Sequence, residues 1–461
     1  MLSLLSINKT IIKRGNKCRK AGLFRKLAQW LKTNLYANII KLLNNIISSN
    51  QFINRHRLYP TAFTRNRSLP FKSVIVFLIN LLKSSIQNEL DKFFKTINNS
   101  DLPERVVTSS AFTQARQKLS HKAFIELDKT QVKYFYDNVN YNRWHGLRLA
   151  AIDGSTLILP NNEQTIKEFG QYSHSSKTTP VVMARVSQSY DVLNRVTIDS
   201  VLSPLTTGEL DLAIEHIKAA DKKDLLLFDR GYNAFWLFNM LVSQGLNFCA
   251  RINADCWKAA QELLSSGSTE GIYKIYPTKQ SEKKSKQLEL PIEPIELRFI
   301  CINLANGDKE VLATSLMDFG KYPYELFEDL YHNRWIIEES YKMMKARIEM
   351  ENFTGKSPEA VKQDFYARIF TANLTAILSY PVHEKIKDKH KKKYDYQINW
   401  TQAIAKMKDS IVLLFFNHNI ERIIKVIQEH FLSNNIPIRP NRVFPRIFRT
   451  KKHYYMTYKP I

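Results

Sequence analysis

Five residues, Asp224-Leu-Leu-Leu-Phe228, followed at once by Asp229-Arg-Gly-Tyr232, limit the folds open to this chain more than any other stretch. A strand with one wet face alternates apolar and polar residues. An unbroken apolar run needs cover on both faces, as in the central strand of a sheet with helices packed above and below it. The flanks agree with that reading. Gly208 to Ala220 has the spacing of an amphipathic helix, Asn233 to Gly245 returns as helix, and Leu246 to Ile252 reads as another strand. Upstream, Leu149-Ala-Ala-Ile-Asp153-Gly-Ser followed by Thr-Leu-Ile-Leu and Pro160 reads as strand, turn, strand. Val181 to Val186 and Asn194 to Val201 read as a hairpin turning at Ser189-Tyr190-Asp191. Hairpins followed by βαβ predict a mixed α/β sheet with helices on its faces.

The rest of the chain frames that sheet. Residues 1–140 show helical spacing of apolar residues, with Ser109 or Ser110 as the cap of a helix bearing Gln114, Arg116, Gln117 and Lys118. Such a face suits base edges in a DNA groove, and it equally suits the solvated surface of a helical bundle. Between residues 253 and 320 the pattern breaks. A short helix near Trp257 to Leu264, a polar stretch from Pro277 to Gln287 expected as a loop, and strands near Glu296 to Leu304 and Glu310 to Thr314 mark an insertion. Helix resumes from Pro323 to Met350 and from Pro358 to His383, and after a charged surface segment at Lys385 to Lys393 more helix is expected from Tyr394 to His430.

Charge identifies the class of partner. The net charge is +25, and from Met1 to Asn88 there are sixteen Lys or Arg with no Asp or Glu. Seven more lie between Phe431 and Ile461, again with no acid. A field of that sign favours nucleic acid, and the basic residues lack the sustained amphipathic face that a membrane surface would need. The four cysteines, Cys18, Cys249, Cys256 and Cys301, and the eleven histidines show no zinc-site spacing. The longest apolar runs are too short to span a bilayer. Positive charges follow the apolar N-terminal residues instead of preceding them, the reverse of a secretory signal. The expectation is a soluble, cytoplasmic, nucleoid-associated protein.

Three acids sit where chemistry could use them. Asp153 and Asp229 fall at the carboxyl ends of expected strands, where ligands of open α/β sheets gather, although each also fits an ordinary turn or cap. Glu338 belongs to a helix in which Tyr331, Arg334, Glu338 and Lys345 stand at offsets of 3, 7 and 14. At about 100° per residue those four share one stripe. The expected helix turns this stripe outward and buries Ile336, Ile337, Met343 and Met344. Glu338 with Lys342 would also make a commonplace i,i+4 pair on a solvated face.

Asp153-Gly-Ser, Asp229-Arg-Gly-Tyr232 and Tyr331-x2-Arg334-x3-Glu338-x6-Lys345 together resemble the three signature regions of bacterial DDE transposases of insertion-sequence family four. Phe63-Thr-Arg65-Asn-Arg67-Ser-Leu-Pro70, Ser110-Ala-Phe-Thr-Gln-Ala-Arg116, Tyr396-Gln-Ile-Asn399 and Arg439-Pro-Asn-Arg442 extend the resemblance over nearly the whole chain. The resemblance implies a ribonuclease-H-like core at 147–252 plus 321–430. A mainly β insertion would occupy 253–320, with a helical DNA-binding region at 1–140 and a basic arm at 431–461. It implies that Asp153, Asp229 and Glu338 hold two Mg²⁺ ions, or Mn²⁺, about 3.5–4 Å apart, for cutting and joining DNA. Tyr331, Arg334 and Lys345 would grip phosphates near the element's end. Arg65, Arg67, Arg116 and Arg442 would be further DNA contacts, and Trp257 a candidate to receive a flipped base. Double-stranded DNA, both element ends and target, is the implied partner, and pairing two ends implies a homodimer. An inactive DNA-binding descendant, or a nuclease of the same fold without joining activity, remains an alternative.

Overall fold

In a computed structural model of the chain, the described residues are 35–65, 67–173, 180–304, 307–389 and 394–439. Nine strands form one sheet. Strand β1 (Arg148–Ile158) pairs antiparallel with β3 (Val181–Asp191), which pairs antiparallel with β4 (Val196–Pro204) and, at its start, with the short β2 (Gln171–Tyr172). On the other side of β1, β5 (Asp224–Phe228) and β6 (Asn247–Ile252) run parallel to it. The β5 run is the central strand that its composition demands. Leu225 and Leu227 enter one core cluster and Leu226 and Phe228 another, because successive side chains leave a strand on opposite faces. At the opposite end of the parallel pair, Arg148 holds Asp224 with Nε–Oδ1 at 2.6 Å and Nη2–Oδ2 at 2.8 Å, so this acid belongs to the scaffold.

Five expectations change on contact with the structure. Asp153-Gly154 is not a turn: β1 runs straight through it, held over residues 150–158 by pairing with β3. The β3–β4 turn falls at residues 192–195, where the Asp191 carboxylate accepts the Leu193 and Asn194 N–H groups and Arg195 takes a left-handed φ of 57°. The polar stretch expected as a loop contains the helix Lys279–Gln287, capped by Thr278, with Glu282 in its first turn and Lys284 and Lys286 in its last. High polarity obscured good helix formers. The insertion also contains a strand that the sequence reading lacks, β7 (Glu270–Ile275). With β8 (Ile295–Asn303) and β9 (Lys309–Thr314) it extends the core sheet beyond β6 in the order β6-β9-β8-β7. Finally, the helix expected over Pro323 to Met350 is two, Leu326–His332 and Trp335–Ala346, separated at Asn333 and Arg334.

The N-terminal helices do not stand apart. Helical residues 35–48 and the helices Asn50–His56, Phe71–Ile79, Ile86–Asn98, Ser109–Arg116 and Lys122–Asn138 share one core with Trp400–Phe416 and Ile420–Ser433. The Ser109–Arg116 helix is capped by Thr108, one residue before the expected cap. Between this bundle and the sheet runs the 32-residue helix Pro358–Lys389. Val361, Phe365 and Ile369 pack toward the sheet, and Phe370, Leu374 and Leu378 toward the bundle. A helix with apolar residues on two faces is covered on both, and its polar residues Gln363, Asp364, Arg368 and Asn373 are buried with hydrogen-bond partners.

Candidate active site

The register of β1 against β5 fixes the first two acids. Arg148 pairs with Asp224 and Ala151 with Leu227; carried two residues further, the same register sets Asp153 level with Asp229. There β5 ends, and the Asp229 carboxylate turns to accept the Gly231 N–H at 2.8 Å. By strand alternation both carboxylates share the face of Leu149, Ala151, Leu225 and Leu227. The Trp335–Ala346 helix packs on that face through Ile337, Tyr341 and Met344.

Three side chains lock this helix and its predecessor to the strand ends. The Tyr331 hydroxyl donates to the carbonyl of Phe228, the residue before Asp229, at 3.3 Å. The Tyr341 hydroxyl donates to the Asp153 carbonyl at 2.8 Å. Lys345 Nζ donates to Ser155 Oγ at 2.7 Å. The stripe therefore turns toward the strand ends, and its first two members are buried: Tyr331 is 2 % exposed and Arg334 4 %. Ile337 and Met344 are buried as expected, whereas Ile336 and Met343 are half-buried. Tyr341 was missed in the sequence, although it lies three residues after Glu338 and four before Lys345, on the same helical face.

The electrostatics are those of acids brought together. Burial, then repulsion from Asp229 and Glu338, pushes the Asp153 carboxyl up to about 7, against the Gly154 N–H and the Arg334 charge. Arg334 sits at the centre of the response. Its Nη2 holds Glu338 Oε1 at 2.9 Å, its guanidinium lies 4.7 Å from the Trp335 ring centroid, and its buried Nε has no partner. Glu338 is thus paired with Arg334 and not with Lys342.

A hard divalent cation fits this donor set in kind: three carboxylates, two level on adjacent strands and one on the facing helix. In distance the set is open. Among the described residues no three His, Cys, Asp or Glu side chains stand close enough to hold a metal ion. Arg334 holds Glu338 in this arrangement.

Across the strand from Asp153, Gly154 leaves room for Glu209. A Cβ at Gly154 would lie 3.1 Å from Glu209 Oε1, which is itself 2.7 Å from Arg185 Nη1. Neither residue stood out in the sequence. Tyr232, from the Asp229-Arg-Gly-Tyr232 motif, is buried beside these acids with its hydroxyl unpaired.

The outlying candidates scatter. Arg116 is not available to DNA: it is 3 % exposed and ion-paired to Asp364 at 2.9 Å, with Nε on Gln363 and Nη1 on Thr354. A cap and a polar helix face in the sequence cannot reveal that the partner lies about 250 residues downstream. Arg65 and Arg67 line a cleft of about 680 Å³ with Gln114 and Lys118. Trp257 is half-buried, its ring 5.5 Å from Phe238 and 6.4 Å from Phe299. It faces a cleft of about 1110 Å³ that also takes in Trp236, Lys258 and Lys274. Arg442 lies outside the described residues.

Residues 144–374 match the transposase DDE domain family, a span that includes all three acids and both helices. Over 405 residues the chain is 21% identical to the transposase InsG for insertion sequence element IS4 of Escherichia coli (strain K12), covering 86% of this chain and 89% of that protein. A piggyBac transposase in a synaptic complex with hairpin DNA, solved by cryo-EM, aligns with 86% of this chain and 85% of its own at a TM-score of 0.46 and 9% identity. The β4-β3-β1-β5-β6 part of the sheet, antiparallel on one side of β1 and parallel on the other, is the mixed sheet expected of a ribonuclease-H-like core. With half of its length in the matched domain, this chain belongs to the DDE transposase family, of the IS4 type.

Proposed function

We propose that this transposase binds the inverted-repeat ends of its insertion sequence, cuts the DNA there and joins the freed ends to target DNA. The observation that carries the reading is the register of β1 against β5, which, continued two residues, sets Asp153 level with Asp229 under the helix that bears Glu338. These three acids would hold the divalent ions, Mg²⁺ or Mn²⁺, and two such ions would make a water or DNA 3′-hydroxyl nucleophilic and stabilise the leaving oxygen. Burial of Asp153 and the like charges of Asp229 and Glu338 make three ionised acids costly side by side, which favours a cation there. Tyr331 and Tyr341 fix the backbones that carry Asp229 and Asp153, so their part is positioning. Arg334 and Lys345 would meet DNA phosphates, Arg334 through the guanidinium edge now spent on Glu338.

Arg65 and Arg67, in their cleft, and the basic termini would supply further duplex contacts, with Arg442 among them. Trp257 would face DNA across the cleft of the insertion. Engaging two ends at once calls for a homodimer on DNA. In this reading residues 1–140 and 431–461 grip DNA while the ribonuclease-H-like core acts on it, in the cytoplasm at the nucleoid. Among the described residues no helix is long and apolar enough to cross a membrane.

The test uses purified chain, end DNA and Mg²⁺. Asp153→Asn, Asp229→Asn and Glu338→Gln should each abolish cleavage while end binding persists. Retained cleavage in any one of them removes that residue from the metal set. An inactive descendant would bind ends and cut nothing.

A further inference from the structure

The helix that carries Glu338 has a second working face. Behind it lies a cavity of about 320 Å³ to which Ser340, Met343 and Met344 contribute, and neither Glu338 nor Lys345 does. Ile398, Trp400 and Ile436 supply the opposite wall. The interior is mostly apolar, yet three cations reach the cavity, Arg195, Lys342 and Arg347, against one acid, Glu339. Lys342 and Arg347 are exposed, and among the described residues none of the three cations has an ion-pair partner. Arg195, held by its left-handed backbone in the β3–β4 turn, places its guanidinium 5.6 Å from the centroid of the Trp400 ring. Trp400 Nε1 is buried with no hydrogen-bond partner.

Each of these features asks for something different from a ligand. An apolar molecule would leave the three cations unused. A bare phosphate would leave the apolar interior empty. A nucleotide answers both demands, because every base offers a π face and several acceptors while its phosphate suits arginine and lysine. The volume is at the lower end of the roughly 300–1,000 Å³ range of small-ligand pockets, which admits one nucleotide and excludes a duplex.

We propose that this cavity binds a single nucleotide, its base against Trp400 and its phosphate between Arg195, Lys342 and Arg347. The nucleotide comes either from solution or from a DNA strand that gives up one base. Its site is separate from the acids and does not depend on their role. An occupant would brace the helix from behind, opposite Glu338.

The experiment uses full-length protein without metal. Tryptophan fluorescence and calorimetry are followed during titration with dAMP, with deoxyadenosine, and with a single-stranded DNA carrying 2-aminopurine. Saturable dAMP binding that weakens about 5- to 100-fold in Trp400→Ala, the worth of one base stack, supports a free nucleotide. Failure of dAMP with Trp400-dependent quenching of 2-aminopurine supports a base of a DNA strand. Because Trp400→Ala removes packing, the exposed pair Lys342→Gln/Arg347→Gln gives a second reading. It should weaken dAMP at least tenfold and leave deoxyadenosine binding unchanged. Absence of both dAMP binding and 2-aminopurine quenching overturns the proposal, as does binding that neither variant alters.

Discussion

Arg116→Ala should unfold this protein long before it affects DNA. The guanidinium donates to Gln363 Oε1 at 2.9 Å, Thr354 Oγ1 at 2.8 Å, the Ala360 carbonyl at 3.0 Å and Asp364 Oδ1 at 2.9 Å. The Arg116 and Asp364 side chains are 3% and 2% exposed, so water cannot replace what is lost. Burial raises the Asp364 carboxyl, but Arg116 and Arg368 more than offset it and hold it below the usual carboxylate range. Removing one partner of such a buried pair costs about 3–5 kcal/mol, a large share of the roughly 5–15 kcal/mol that keeps a domain folded. Because the pair joins the Ser109–Arg116 helix to the Pro358–Lys389 helix, the loss would fall on the junction of bundle and core. Urea unfolding of Arg116→Ala should show a midpoint lowered to match. The double variant Arg116→Met/Asp364→Leu should recover part of the loss, since neither member of the pair is left without the other, although buried Arg368 loses the Asp364 charge it faces. Unchanged stability together with weakened DNA binding would refute this reasoning and return Arg116 to the DNA surface.

Tyr341→Phe removes the bond to the Asp153 carbonyl and should cost about 1 kcal/mol of stability, while slowing cleavage more than it weakens end binding; equal kinetics would make the contact incidental. Arg334→Ala should lower the salt slope of end binding by about 0.9 if the side chain meets one duplex phosphate, and an unchanged slope with lost cleavage would confine Arg334 to holding Glu338. Asp128 is half-buried, and desolvation pushes its carboxyl up to about 7 despite donors from Gln131 and Asn373. The folded protein therefore binds this proton more tightly than the unfolded chain, and the associated stability, complete below about pH 4, drains away as the pH rises to 7. Asp128→Asn should be more stable than the parent at pH 8 and lose that advantage toward pH 4, as read from urea midpoints; a constant difference would contradict the shift.

How much of this was legible in the sequence depended on the distance over which each signal acts. The Asp224–Phe228 run announced a central strand because burial on both faces acts on the residues themselves. Asp153 and Asp229 were found as strand-end acids, yet the turn assigned to Asp153-Gly154 was mistaken: pairing with β3 overrides the local Asp-Gly preference. Gly154 serves close approach by Glu209 instead. The break at Asn333 and Arg334 carries neither glycine nor proline and keeps right-handed helical backbone angles, so the helical count ran through it; the packing of the polar stripe on the strand ends rests on contacts more than 100 residues apart. Arg116, and the extension of the sheet by the insertion, depend on partners far along the chain, which composition and periodicity do not encode.

The central claim is that Asp153, Asp229 and Glu338 form one site that both cuts and joins DNA. The most direct measurement incubates the purified protein with Mg²⁺, a labelled pre-cut end bearing a free 3′-hydroxyl, and an unlabelled plasmid, and scores covalent transfer of label to the plasmid. The account predicts joined product with the parent protein and none with Asp229→Asn, although both bind the end. Joining that survives Asp229→Asn, or a parent protein that cleaves ends and never joins them, would contradict it.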